Sequence, residues 1–159
     1  MFVYRISKKE YINDLSGIGA GLHGGRWNPK GLNLVYTSGS IALASLEFMV
    51  HNYHLLKTTT VCLAKIKIAS NTQVTAYPLK NLPADWNGPL GNQGITQSVG
   101  KEFYLKGKEY VLKVPSAIIP GEFNYLLNPQ HQEHKQTEVV NVINPFVFDQ
   151  RLIDLCTDI

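Results

Sequence analysis

The 159-residue chain is poor in cysteine and in charge, and both shortages restrict what it can be. Its two cysteines, Cys62 and Cys156, lie far apart and form no Cys-x-x-Cys pair, which argues against a disulfide framework and a zinc ribbon. Free cysteines are typical of a reducing compartment. Charged residues make up only 17% of the chain, below the usual share of about 25%, while 44% are hydrophobic, enough for a sizeable core.

Long hydrophobic runs and basic clusters are also missing. The longest nearly apolar stretch, residues 41–50, contains Glu47 and is shorter than the roughly 20 residues that span a bilayer. Arg5 and the Lys8–Glu10 cluster leave no room for the apolar part of a signal peptide, so we expect a soluble, cytoplasmic protein without a membrane segment. The net charge of +3 comes from scattered residues, which does not favour a nucleic-acid tail and equally suits a small anionic substrate.

The hydrophobic pattern predicts a single domain over residues 1–159, because no internal repeat or long linker interrupts it. Runs rich in β-branched and aromatic residues predict strands at 2–6, 32–37, 61–69, 110–114 and 139–148. Helices are predicted at 41–55 and around 96–104. This mixture predicts an α+β fold with a strand-rich core and flanking helices.

Two segments need a separate description. Ser40 is predicted to cap the helix at 41–55, whose core-facing positions are predicted from their helical spacing. These are Ala42, Leu46, Met49 and Tyr53. Residues 78–94 contain several prolines and glycines and are predicted to be irregular, serving as a lid or a partner surface.

Residues 16–31 hold six glycines and are predicted to form a loop that approaches a ligand closely. Here Gly25 and the glycine before it are predicted to expose backbone N–H groups beside Arg26, whose guanidinium can bind a phosphate or pyrophosphate bidentately. A tight turn with a surface arginine is the alternative. The G-x-G-x-x-G spacing at 19–24 is not a Rossmann fingerprint, because residues 26–29 do not open a helix.

Glu47 is the lone acidic or basic residue of the apolar segment 41–50. Ser40, Ala44, Glu47 and His51 share one face of the predicted helix, and the two small residues leave space above the carboxylate. A carboxylate at a cleft in apolar surroundings indicates a functional site. The alternative is that this face simply meets water.

Ser116 follows a predicted strand and lies between prolines, so its hydroxyl is rigidly placed. It lacks the Gly-x-Ser-x-Gly elbow of a hydrolase, which favours a hydrogen-bonding role over a nucleophilic one; a plain turn serine is the alternative. No metal site is predicted, because the histidines do not complete a His-Glu-x-x-His pattern. They include His51, His54, His131 and His134.

Six short motifs in a fixed order resemble the RES-domain family, the toxins of RES–Xre toxin–antitoxin pairs. They are Tyr4–Arg5, Gly25–Asn28, Tyr36–Ser38, Ala42–Glu47, Val114–Ser116 and Asn128–His131. The resemblance implies a fold like that of the ADP-ribosyltransferase toxins, with NAD+ as the substrate and no cofactor. Family activities are cleavage of NAD+ by water or phosphate and, in some members, ADP-ribosylation of a protein.

The resemblance also implies partners and site residues. The implied partner is an Xre-like helix-turn-helix antitoxin, with nucleic acid bound only through it; a homodimer stays open. The positions implied for catalysis are Arg26, Tyr36, Glu47 and Ser116. Those implied for binding are Arg5, Gly25, Arg26 and Tyr36.

Breaking the bond between nicotinamide and ribose passes through a transition state that resembles an oxocarbenium ion. Nicotinamide leaves as a neutral molecule, so no general acid is required and one carboxylate, Glu47, can stabilise the ribosyl cation. Arg26 would hold the pyrophosphate, Tyr36 would pack on the nicotinamide ring, and Ser116 would hydrogen-bond nicotinamide or ribose. A non-catalytic nucleotide-binding module and a basic nucleic-acid-binding domain remain alternatives.

Overall fold

The computed structural model describes residues 1–56, 58–88 and 93–155. Within them, runs rich in Val, Ile, Leu, Tyr and Phe form seven strands of one sheet. The strands are β1 (Phe2–Lys8), β2 (Val35–Ser38), β3 (Val61–Lys67), β4 (Val74–Ala76), β5 (Val111–Pro115), β6 (Phe123–Leu127) and β7 (Glu138–Ile143). Their order is β4-β5-β6-β2-β1-β3-β7, and every pair is antiparallel except β4 with β5.

Four α-helices accompany the sheet in the described residues, together with four short 3-10 helices. The α-helices are α1 (Ile18–His23), α2 (Ile41–Asn52), α3 (Gln93–Lys106) and α4 (Gln150–Leu155). None of the helices in the described ranges has the length and hydropathy needed to cross a bilayer.

The alternation of side chains along each strand gives the sheet two different faces. On one face, side chains of α2 and α3 pack with side chains of the strands in two apolar clusters. The other face buries a third cluster, which includes Val3, Ile12, Val35, Ala64 and Leu127. Residues on the first face, here called the helix-covered face, carry the candidate site.

The cap of α2 is confirmed, because the Ser40 side chain accepts a hydrogen bond from the amide of Leu43 at 3.1 Å. The predicted core face of this helix is partly wrong. Ala42 and Tyr53 are exposed, and the α-helix ends at Asn52. The buried residues are Leu43, Ala44, Phe48 and Met49, because the face of α2 that packs on the sheet is shifted by about one residue from the predicted face.

Four of the strands and α-helices in the described residues were not predicted, among them α4, which follows the last predicted strand. The helix α1 lies inside the glycine-rich segment that was predicted to be a loop, and β4 and β6 lie in segments with no prediction. Glycine is a poor helix former, so tertiary packing rather than propensity holds α1 in place. The rejection of a Rossmann loop is confirmed, because α1 precedes residues 26–29 and these open no helix. Of the predicted irregular segment 78–94, residues 89–92 lie outside the described residues.

The helix α3 packs directly on the loop at residues 24–28. Thr96 is fully buried and donates its hydroxyl proton to the carbonyl of Arg26 at 2.6 Å. Gln97 donates from its side-chain amide to the carbonyl of Gly25 at 3.0 Å. A Cβ at Gly100 would lie 1.6 Å from the carbonyl oxygen of Trp27, so only glycine permits this approach.

We expect Gly100→Ala to destabilise the fold by about 1–3 kcal/mol or more, because the added methyl group meets rigid backbone. Urea denaturation measures the loss. Gly19→Ala is the matched control, since a Cβ there has nothing within 4 Å, and its effect should stay within about 1 kcal/mol. Equal stability of the two variants would contradict the tight packing of α3 on the loop.

Candidate functional site

In the loop at residues 24–28, the backbone amides of the two glycines donate hydrogen bonds to carbonyls of the same chain. The amide of Gly24 donates to the carbonyl of Ala20 at 2.8 Å, and the amide of Gly25 donates to the carbonyl of Asn28 at 2.8 Å. The prediction that these two glycines expose N–H groups to a phosphate is therefore wrong. These two amides are not available to an anion, and Arg26 is the charged side chain of this loop.

Tyr36 braces this loop from β2. Its hydroxyl donates to Oδ1 of Asn28 at 2.7 Å and accepts from the amide of Trp27 at 3.0 Å. Burial raises the pKa of Tyr36 far above its usual range, so the hydroxyl stays protonated. A Cβ at Gly25 would lie 2.7 Å from this hydroxyl oxygen, so any larger side chain at position 25 would clash with Tyr36. The predicted packing of Tyr36 on nicotinamide stays a prediction.

Arg26 projects from the loop and contacts the segment that precedes α3. Its guanidinium donates to the carbonyl of Trp86 and, at 3.3 Å, to the carbonyl of Gly88. Its Cζ lies 5.9 Å from the ring centroid of Trp86, a cation–π contact. The Trp86 ring is itself buried, 6.1 Å from that of Trp27. Within the described residues these bonds occupy two of the five N–H donors of the guanidinium.

The second half of the site is the carboxylate of Glu47 on α2. Its Oε1 accepts two hydrogen bonds, from Oγ of Ser116 at 3.0 Å and from Nδ2 of Asn124 at 2.5 Å. Its Oε2 lies 3.8 Å from Nε2 of His51, one helical turn further on. The side chain is 22% exposed, so the carboxylate is sheltered but still open to a ligand.

The hydroxyl of Ser116 is directed at Glu47 by the turn that follows β5. The amides of Ile118 and Ile119 both donate to its oxygen at 3.1 Å. Since these bonds occupy the acceptor side of the hydroxyl, its single proton goes to Glu47. Ser116 thus acts on the carboxylate; the predicted bond from Ser116 to nicotinamide or ribose stays a prediction.

Strand β2 joins the two halves of the site. Tyr36 and Ser38 are two residues apart, so both side chains point to the helix-covered face, about 7 Å apart along the strand. Ser38 stands opposite Asn124 in the β2–β6 register and donates to its Oδ1 at 2.7 Å. Arg26, Tyr36, Glu47 and Ser116 are therefore brought to one face of the sheet.

Arg5 is not brought to this group. Tyr4 pairs with Ser38 across β1 and β2, so the alternation of β1 turns Arg5 to the opposite face. Burial lowers the pKa of the Arg5 guanidinium. Its N–H groups donate to the backbone carbonyls of Tyr11, Ile12 and Asp14. The structure gives no support to the implied binding role of Arg5, which stays a prediction.

The histidine-containing motif Asn128–His131 also lies away from Glu47. His131 stacks on Tyr110 with ring centroids 5.7 Å apart, and Nδ1 of His134 lies 2.9 Å from the Tyr110 hydroxyl. Tyr110 belongs to the cluster on the other sheet face. Residues 1–56, 58–88 and 93–155 contain no group of three or more potential metal ligands.

The sequence prediction missed three residues that shape the site. Asn124 binds Glu47 from β6. Thr96 and Gln97 hold, from α3, the loop at residues 24–28, here called the arginine loop. A signal for Asn124 was available, because it precedes Leu126 by two positions and a polar residue on an inward strand face needs a partner. No comparable local signal marks Thr96 or Gln97.

Comparison with known proteins identifies the family. The RES domain matches residues 2–149. The chain belongs to the RES-domain family. This RES domain is 37% identical to the protein named Toxin Res of Photorhabdus laumondii subsp. laumondii, over 96% of this chain and 97% of that protein. It is 35% identical to the Prs ADP-ribosylating toxin of Sphingobium sp. (strain YBL2), over 89% of this chain and 88% of that protein.

Among solved structures, the M. tuberculosis MbcT–MbcA toxin–antitoxin complex contains a chain with the same fold. The TM-score is 0.75 at 19% identity, covering 99% of this RES domain and 89% of that chain. The α+β fold with a strand-rich core and flanking helices is confirmed. The predicted likeness to ADP-ribosyltransferase toxins agrees with the name of the Sphingobium relative.

We expect Tyr36→Phe to lower the free energy of unfolding by about 1–3 kcal/mol, because it leaves the amide of Trp27 and Oδ1 of Asn28 without their partner. Chemical denaturation of the purified protein measures the change. Tyr53→Phe is the control, because Tyr53 is 52% exposed and should stay within about 0.5 kcal/mol of the parent. A neutral Tyr36→Phe substitution would mean that the hydroxyl does not brace the loop.

Proposed function

We propose that this RES domain is the toxin of a toxin–antitoxin pair and that it cleaves NAD+ at the nicotinamide–ribose bond, with water or phosphate as the acceptor. The observation that carries the proposal is the placement of Glu47, held by Ser116 and Asn124, on the sheet face that also carries Tyr36 and the arginine loop. The names of the relatives support the toxin part of the proposal.

The proposed reaction needs one fixed negative charge. The bond from ribose C1′ to nicotinamide breaks, its electron pair goes to the ring nitrogen, and a ribosyl cation forms. Glu47 stabilises that cation, and an oxygen of water or phosphate then bonds to C1′; when water is the acceptor, its extra proton is released to the solvent. A carboxylate already held by hydrogen bonds needs little reorganisation during the reaction, which is what makes such a group effective.

In this proposal Arg26 holds the pyrophosphate of NAD+. The guanidinium is already fixed by the carbonyls of Trp86 and Gly88, so little side-chain entropy is lost when its other donors bind an anion. Tyr36 keeps the loop in place as a neutral group. NAD+ is the substrate here, and no cofactor is proposed.

A second candidate is mono-ADP-ribosylation of a protein. It is favoured by the 35% identity to a relative named Prs ADP-ribosylating toxin. The chemistry at Glu47 is the same, except that a nucleophilic side chain of the target replaces water or phosphate. Incubation with labelled NAD+ distinguishes the two: label on protein supports transfer, and free ADP-ribose or its phosphate supports degradation.

An enzyme that consumes NAD+ harms the cell that makes it, so the proposed toxin requires a protein that restrains it. The similar fold occurs in a chain of the MbcT–MbcA toxin–antitoxin complex. We therefore propose an antitoxin partner for this RES domain, of the Xre-like helix-turn-helix type.

We expect Glu47→Gln to lower NAD+ consumption by at least about 100-fold. The fold should persist, because the glutamine carbonyl can still accept from Ser116 and Asn124. NAD+ quantification with purified protein, with and without phosphate, measures the loss. The control is Glu102→Gln, at a carboxylate on α3 that pairs with Lys106 and is 61% exposed. Near-normal NAD+ consumption by Glu47→Gln would refute the proposed role.

We expect Arg26→Ala to raise the KM for NAD+ by about 10-fold or more and to change kcat less, because a charge-assisted contact to phosphate is lost in ground state and transition state alike. Steady-state kinetics separate the two constants, and a melting curve reports any loosening of Trp86. The control is Arg151→Ala, since Arg151 is 88% exposed. An unchanged KM would remove Arg26 from the binding site.

A further inference from the structure

The hydrogen bonds of Glu47 are distributed unequally between its two oxygens. Both side-chain donors, from Ser116 and Asn124, go to Oε1. Oε2 has the imidazole of His51 at 3.8 Å, beyond hydrogen-bond distance, on a side chain that is 67% exposed. The terminal torsion of a glutamate is otherwise broad, so two donors on one oxygen fix the plane of the carboxylate. Oε2 is thereby the oxygen left to face a ligand.

The Asn124 amide is held in place by a third residue. Oδ1 of Asn124 accepts from the hydroxyl of Ser38 at 2.7 Å, while its Nδ2 donates to Glu47 at 2.5 Å. Ser38 is buried and sits opposite Asn124 in the strand register. Because an ionised carboxylate only accepts hydrogen bonds, Nδ2 faces Glu47 and Oδ1 is left to accept from Ser38. The reverse orientation would bring two oxygens together.

We propose that Asn124 is a positioning residue for Glu47 and that Ser38 anchors Asn124, so that Oε2 is presented to the ribosyl cation. This inference rests on the proposed function. Asn124 had no part in the sequence prediction, and Ser38 appeared there only as the last residue of the Tyr36–Ser38 motif, with no role assigned to it. Ser38, Asn124 and Glu47 lie on β2, β6 and α2, so their hydrogen bonds hold the carboxylate against two central strands of the sheet.

A positioning role and a merely structural role have different kinetic consequences. A misplaced carboxylate loses transition-state stabilisation, so kcat falls while the KM for NAD+ is nearly unchanged. A partly unfolded or loosened protein loses active molecules and melts earlier, and a distorted pocket raises KM. The two constants and the melting temperature therefore have to be measured together.

The experiment compares Asn124→Ala, Ser38→Ala and Ser38→Thr in NAD+ consumption. We expect Asn124→Ala to lower kcat about 10- to 100-fold with the KM within about 3-fold, as expected for a displaced reacting group. Ser38→Ala should give a smaller loss of kcat, and Ser38→Thr, which restores a hydroxyl, should recover most of it. Asn141→Ala on β7 is the control, since Asn141 is exposed and distant in the strand order.

Combining Asn124→Ala with Glu47→Gln tests whether Asn124 acts through Glu47. The double variant should be no slower than Glu47→Gln alone, because the group that Asn124 positions has already been neutralised. A further multiplicative loss, or a kcat in Asn124→Ala and Ser38→Ala equal to the parent, would overturn the inference. If Asn124→Ala fails to fold, the contrast between Ser38→Ala and Ser38→Thr decides the question.

The same series separates this inference from the proposed function. If the parent protein leaves NAD+ intact with water, phosphate and protein acceptors, the proposed function is wrong and the positioning role falls with it. If the parent consumes NAD+ and Glu47→Gln does not, but the Asn124 and Ser38 variants match the parent, only the positioning role is wrong.

Discussion

The carboxylate of Glu47 can be sheltered on the sheet because donors from outside its own helix meet it. Removing a charged carboxylate from water is costly unless hydrogen bonds replace the lost hydration. Those bonds come from β6 and from the turn after β5, whereas the carboxylate is carried by α2. They exist only while α2 stays docked and β2 and β6 keep the register that pairs Ser38 with Asn124. The site is thus a property of the tertiary fold and of no single motif.

The same dependence holds for the arginine loop. Glycine at position 100 lets α3 come close enough for Thr96 and Gln97 to reach the loop carbonyls, and Tyr36 supports the loop from the sheet. The four-residue strand β2 is the fourth of seven strands in spatial order, and it carries both Tyr36 and Ser38. A central strand is the most rigid place in a sheet from which to set the spacing between two halves of a site.

Local features of the chain were predictable and long-range ones were not. The Ser40 cap, the helix that bears Glu47 and the turn at Arg26 follow from short patterns, and the motif order identifies the family. The partners of Glu47 lie 69 and 77 residues away, and only strand register decides which of them meet. Arg5 illustrates the same limit. The motif identifies the residue, but the alternation of side chains along β1 decides which face of the sheet it occupies.

The amides of Gly24 and Gly25 are hydrogen-bonded within the chain, and this changes how an anion can be recognised here. In a phosphate-binding glycine loop the backbone N–H groups supply most of the donors. In this loop the amides of Gly24 and Gly25 are already bonded, so the proposed recognition of the NAD+ pyrophosphate rests on the guanidinium of Arg26. Two carbonyls fix that guanidinium, which orients its remaining donors before any ligand arrives. In the proposed function, the segment around Trp86 therefore contributes to NAD+ binding by determining where the arginine points.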